Sequence, residues 1–140
     1  MRTLYRVDEK SDGATLHEVS DGESLHVGDR LRIRIELGCD RNLEYVQLKD
    51  MRAASFEPVS TRAGFSYNFG DDLRSYVVPE NASQVFYIDR LERGSYIIEY
   101  DVYAEQAGTF NSGIVSAQCM YAPGFRSTAS SSSVKVESAK

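Results

Sequence analysis

Between residues 31 and 37 the apolar side chains Leu31, Ile33, Ile35 and Leu37 alternate with Arg32, Arg34 and Glu36. A period of two puts one side of a strand against a core and leaves the other in water. The same period returns over residues 96–104, with Tyr96, Ile98, Tyr100, Val102 and Ala104 on one side and Glu99, Asp101 and Tyr103 on the other, Ile97 being the exception. No window sustains the 3.6-residue period of a helix. Shorter candidate strands fall at 3–7, 14–19, 45–48, 65–69, 75–78, 84–89, 110–120 and 133–137, separated by Gly, Pro, Asp and Asn breakers such as Asp12-Gly13, Gly28-Asp29, Pro79 and Arg93-Gly94. Residues 127–133 are polar and Ser-rich and read as a flexible loop ahead of a last strand. Many short strands without a crossover helix predict an all-β, immunoglobulin-like antiparallel β-sandwich, folded as a single domain over residues 1–140.

Composition agrees with strands. Nine Tyr and six Phe with no Trp favour a pleated, half-buried surface, and 41% hydrophobic against 26% charged residues is ordinary for a globular chain. A net charge of −5 disfavours nucleic acid and anionic lipid as partners. No apolar run approaches the roughly 20 residues needed to cross a bilayer, and no charged-then-apolar leader opens the chain, so a soluble module is expected, any export signal having been removed or lying upstream. Cys39 and Cys119 stand too far apart for a Cys-x-x-Cys site. They are either two buried thiols or one disulfide, and free thiols are the expectation because a chain of this length does not need a staple.

Each enzyme constellation fails. His17 and His26 lack a His-Glu-x-x-His frame and read as surface histidines; Ser112 and Ser116 lack a nucleophile elbow; Cys119 reads as a buried, inert strand thiol. Asp71 and Asp72 supply too few oxygens for calcium, and Asn81-Ala82-Ser83 fits the glycan acceptor pattern without deciding anything. The expectation is no catalytic residue, no metal and no cofactor. Two features remain. Leu91-Glu92-Arg93-Gly94-Ser95-Tyr96 has the spacing of a tyrosine corner, with Leu91 as anchor, Gly94 for a positive φ and the Tyr96 phenol returning to backbone, although simple core packing of Tyr96 reads equally well. Gln118-Cys119-Met120-Tyr121-Ala122-Pro123-Gly124-Phe125 is rich in the residue types of contact patches, and Met120 and Tyr121 are either core and half-exposed ring or part of such a patch.

Five ordered blocks add a resemblance. Leu43-Glu44-Tyr45-Val46-Gln47-Leu48-Lys49-Asp50, Phe56-Glu57-Pro58-Val59, Phe86-Tyr87-Ile88-Asp89-Arg90-Leu91 with Gly94 and Tyr96, Gly108 with Phe110, and Met120-Tyr121-Ala122-Pro123 together resemble the C-terminal macroglobulin-like domain of bacterial α2-macroglobulin family proteins. The likeness spans residues 25–137, with 1–24 as a lead-in strand and loop. It implies a macroglobulin-like sandwich within a larger protease-inhibiting trap, a lipoprotein of the periplasm or cell envelope, whose thioester acylates an attacking protease. The thioester signature Cys-x-Glu-Gln follows neither Cys39 nor Cys119. The implied role is therefore to dock on the thioester domain and neighbouring macroglobulin domains of the parent and to shield the thioester. Met120, Tyr121 and Pro123 would make the contact, Leu91, Gly94 and Tyr96 would shape the fold, and target proteases would be met only through the parent. The rival expectation is an adhesive β module that binds carbohydrate or a surface protein through loop Tyr and Phe.

Overall fold

Strand pairing begins with two alternating strands set side by side. The computed structural model describes residues 2–10, 13–20, 23–39, 41–53, 55–59, 64–67, 74–80, 83–111, 115–119, 122–129 and 133–138. These form, in chain order, β1 (Arg2–Lys10), β2 (Gly13–Glu18), β3 (Ser24–His26), β4 (Arg30–Cys39), β5 (Leu43–Met51), β6 (Phe56–Pro58), β7 (Gly64–Tyr67), β8 (Arg74–Pro79), β9 (Ser83–Leu91), β10 (Gly94–Ala104), β11 (Gly108–Asn111), β12 (Val115–Cys119), β13 (Ala122–Ala129) and β14 (Ser133–Glu137). No helix occurs among the described residues, and hence none long and apolar enough to cross a membrane.

A five-stranded sheet runs β2-β1-β4-β10-β6, a six-stranded sheet runs β13-β12-β5-β9-β8-β7, and a three-stranded sheet runs β11-β14-β3. The two alternating stretches pair antiparallel, with Ile35 opposite Ile98, Ile33 opposite Tyr100 and Leu31 opposite Val102, so both inward rows meet one core. From the six-stranded sheet, Val46 and Leu48 of β5, Phe86 and Ile88 of β9, and Ala117 and Cys119 of β12 close that core from the other side. The small sheet adds Leu25, Val134 and Val136. Fully burying each of the larger aliphatic side chains contributes about 1.5–3 kcal/mol, and Leu25, Leu31, Ile35, Leu48, Ile88, Leu91 and Ile98 are all completely buried.

The architecture is the all-β sandwich read from the sequence, with three differences. Residues 110–120 do not form one strand: Phe110 belongs to β11 of the small sheet and 115–119 to β12 of the six-stranded sheet. Ser112-Gly113 interrupts the apolar alternation there and residues 112–114 lie outside the described residues. The polar stretch expected as a loop from 127 is strand as far as Ala129, because β13 is an edge strand paired through its backbone to β12. An edge tolerates polar residues and also Pro123, with a register shift at Gln118/Cys119. Strands β3 and β6, of three residues each, are too short to show a period, and β3 lies parallel to β14 where every other described pair is antiparallel.

Polar groups tie the layers together inside this core. Asp50, fully buried on β5, accepts a hydrogen bond from the Tyr100 hydroxyl of β10, and the Tyr100 ring packs on Phe86 of β9 with centroids 5.9 Å apart. Nearby, Arg52 is 6% exposed and donates to the Gln84 side-chain oxygen at 3.3 Å and to the Glu80 carbonyl. Ser55 joins the approach to β6 to the end of β10, its hydroxyl donating to the Gln106 carbonyl at 2.7 Å and its carbonyl accepting from the Glu105 N–H at 2.8 Å. Removing the donor from a buried carboxylate leaves part of its desolvation uncompensated. Tyr100→Phe is expected to lower stability by about 1–3 kcal/mol, measured as a lower urea midpoint with an unchanged denaturant slope; an unshifted midpoint would show that this bond does not join the sheets.

Candidate docking site

One end of the sandwich gathers Leu91, Gly94, Tyr96 and both cysteines. β9 and β10 belong to opposite sheets and are joined only by Glu92 and Arg93, so the chain must cross the core's end within two residues. Leu91 is fully buried there, Gly94 takes φ 152°, and the Tyr96 hydroxyl donates to the Glu92 carbonyl at 2.7 Å. That returning bond is the geometry of a tyrosine corner. The Arg93 N–H donates to the Asn42 side-chain oxygen at 2.8 Å, which pins the β4–β5 connection to the same corner.

Both cysteines are free and buried at this end. Cys39 of β4 donates its thiol to the Arg41 carbonyl at 2.6 Å and Cys119 of β12 donates to the Glu44 carbonyl at 3.1 Å. Met120 and Tyr121, the next two residues, lie outside the described residues, and Pro123 lies within β13. Next to Val46, the residue that Cys119 faces, sequence reasoning missed Tyr45. It takes φ 57°, the left-handed region, and is 49% exposed, so Glu44 and Tyr45 are both exposed between buried Leu43 and Val46. No residue type or spacing in the sequence marks a tyrosine for that conformation.

The outer faces of the two large sheets differ in chemistry. On the five-stranded sheet, Arg30 and Arg32 converge on Asp101 at 2.8 and 2.9 Å, Arg34 binds Glu99 at 2.9 Å, and the Arg34 guanidinium lies 4.8 Å from the Tyr5 ring centroid. Burial alone would raise the Asp101 pKa, but the hydrogen bonds from Arg32 and Arg30 outweigh it and hold the carboxyl below its ordinary value. The six-stranded sheet instead shows Tyr76 directly opposite Tyr87, each 39% exposed, beside Gln47 and Gln118.

The remaining candidates scatter. His17 sits 3.1 Å from Glu23 at the edge of the β1–β2 hairpin, and this bond is the chief reason that the Glu23 pKa is lowered. His26 lies 3.6 Å from Glu137, far along the chain in the small sheet. Ser116 is half-buried within β12, and Ser83 is buried with its hydroxyl on the Glu80 carboxylate at 3.1 Å. Asp71, Asp72, Asn81, Ala82 and Ser112 lie outside the described residues. Among the described residues, no group of three or more His, Cys, Asp or Glu side chains is placed to hold a metal ion.

The arginine ladder makes a pH prediction. Its folded-state pKa lies below the unfolded value of about 3.9, so Asp101 contributes its full stabilisation above that value and loses it as pH falls through the folded pKa. With both arginines 33% exposed, Asp101→Asn is expected to cost about 1.5 kcal/mol at neutral pH. Thermal melts at stepped pH should show the gap between variant and parent closing in acid; a gap that persists there would remove the ladder as its source.

Comparison with solved structures shows where this fold recurs. A crystal structure of a Salmonella alpha-2-macroglobulin point mutant matches with a TM-score of 0.71 at 19% identity, over 96% of this chain and 9% of that one. The crystal structure of native alpha-2-macroglobulin from Escherichia coli, spanning domain MG7 to the C-terminus, gives a TM-score of 0.72 at 15% identity, over 98% of this chain and 23% of that fragment. A cryo-EM reconstruction of the native Escherichia coli protein gives 0.69 at 15% identity, again over 98% of this chain and 9% of that one. At these identities the likeness is one of fold, and the chain spans a small part of each relative's length. A comparison with proteins of curated function returns no match. The family model of the bacterial alpha-2-macroglobulin MG10 domain matches residues 1–124, most of the chain, and the chain belongs to that family.

Proposed function

We propose that this chain serves as the non-catalytic C-terminal module of a bacterial alpha-2-macroglobulin-type protease trap, docking on neighbouring macroglobulin domains and on the thioester domain of a longer parent. The observation that carries the reading is the family match over residues 1–124. The sequence has no thioester signature of its own, which fits a domain that covers a reactive bond rather than holding one. Met120, Tyr121 and Pro123, which follow β12 in the sequence, are the proposed contact residues. A methionine suits this role: a long, unbranched, polarizable side chain fills an irregular apolar gap, and burying it contributes about 1.5–3 kcal/mol. That is enough to hold a lid and small enough to release it. Contacts of modest area between domains are separable, as a trap that rearranges on cleavage needs. Target proteases would be met through the parent, a membrane-anchored lipoprotein in the periplasm or cell envelope.

The test uses the parent protein before cleavage. Met120→Ser should speed incorporation of methylamine by about tenfold, the factor for losing about 1.4 kcal/mol of lid burial, while Met120→Leu, similar in volume, should leave the rate near that of the parent. Equal methylamine labelling of parent and serine variant would remove the shielding role.

A further inference from the structure

We infer that Tyr45, Tyr87 and Tyr76 form a docking face on the outer side of β5, β9 and β8, occupied by a neighbouring domain of the same polypeptide. The inference rests on the docking reading above and adds to it the face and the residues.

Tyr45 is where the argument starts. Among the described residues it alone combines a side chain with a positive φ, and at 49% it is the most exposed of the large apolar side chains. Bulky residues rarely adopt this conformation, and those that do cluster where a surface has to present something. Its position is specific. The pairing of β12 on β5 ends at Cys119 opposite Val46, so Tyr45 is the next position on β5, and Met120 is the next residue in sequence after Cys119. From there the surface continues across the sheet. Gln118 lies opposite Gln47, Gln47 opposite Tyr87 and Tyr87 opposite Tyr76, a neutral row over four neighbouring strands that Lys49 of β5 and Asp89 of β9, one charge of each sign, flank on the same face.

The chemistry of this row points to a protein partner. Tyrosines offer large, rigid, amphipathic area at small entropic cost, and neutral amides adapt their hydrogen bonds to an irregular surface. An excess of cations, which a nucleic acid or an anionic membrane would require, is missing from the row. The outer face of the five-stranded sheet makes the contrast, since its arginines are engaged by Asp101 and Glu99. An attached domain is the occupant because this fold recurs as 9% of the Salmonella chain and 23% of the Escherichia coli fragment. A partner tethered in the same chain acts at high effective concentration, so a modest and partly polar face suffices.

Tyrosine nitration by tetranitromethane in the intact natural polypeptide, read residue by residue by mass spectrometry, tests this. Tyr103, on the outer face of the five-stranded sheet and 37% exposed, is an internal standard for Tyr76 and Tyr87 at 39%. Tyr45, Tyr76 and Tyr87 should react about tenfold more slowly than Tyr103. Tyr45→Asn keeps a residue that tolerates the left-handed backbone and should bring the Tyr87 rate up to that of Tyr103 without moving the thermal midpoint. Equal rates for the four tyrosines, or a reading frame that encodes no further domain, would overturn the inference. If the tyrosines react equally while Met120→Ser still speeds methylamine uptake, the face falls and the shielding role stands; slow tyrosines with unchanged methylamine uptake give the reverse.

Discussion

The register between β4 and β10 carries the rest of the structure, because side chains on a strand alternate strictly and one pairing decides both faces at once. Ile35 opposite Ile98 and Ile33 opposite Tyr100 set the inward row. The same register sets Arg34 opposite Glu99 and Arg32 opposite Asp101 on the outside. A slip by one residue would carry the arginines into the core and the isoleucines into water. The ion pairs add little energy individually at this exposure, but opposite charges directly across a strand pair favour the correct alignment over its neighbours. Core and ladder therefore specify one alignment.

Joining the two sheets is a separate problem, and it is met by polar groups at defined places. The corner at Leu91, Gly94 and Tyr96 turns the chain from one sheet to the other, while Tyr100 and Asp50 join β10 to β5 inside the core. Apolar burial alone is indifferent to small rotations of one layer over the other. A hydroxyl that must reach one carboxylate is not, since missing it leaves a buried polar group without its bond. The end with the corner also holds both thiols, each on a backbone carbonyl, so Arg41 within the β4–β5 connection and Glu44 just after it are both held. Tyr45 projects from a strand whose beginning is held in this way.

What can be read from the sequence follows from how local each feature is. The period of two survives in β4 and β10 because both strands are long and wet on one side. The corner is half readable: its hydrogen bond spans four residues, so the spacing offers it, but the same spacing fits a Tyr96 that only packs in the core, and the bond itself decides. β13 escapes because an edge strand is held by backbone pairing, to which side-chain polarity gives no clue. β3 and β6 have three residues each, and β3 is placed by a parallel partner more than a hundred positions away. Tyr45 is the least legible. Its φ of 57° falls one position beyond the last β12–β5 pair, and the window around it reads as ordinary strand.

The asymmetry of the two outer faces gives the sandwich a direction. Charges engaged by one another on one sheet leave little for a partner to gain, because any contact must first break their hydrogen bonds or strip their water. Tyrosines and glutamines on the opposite sheet carry no net charge to desolvate when a partner replaces water. Here Tyr45 stands two positions from Leu43, which pairs with Leu91 of the corner, and one position beyond the β12 pairing that ends at Cys119. The strand end from which Tyr45 projects is thus held by the corner and by both thiols, and a contact surface held in place lets a neighbour's position be transmitted rather than absorbed.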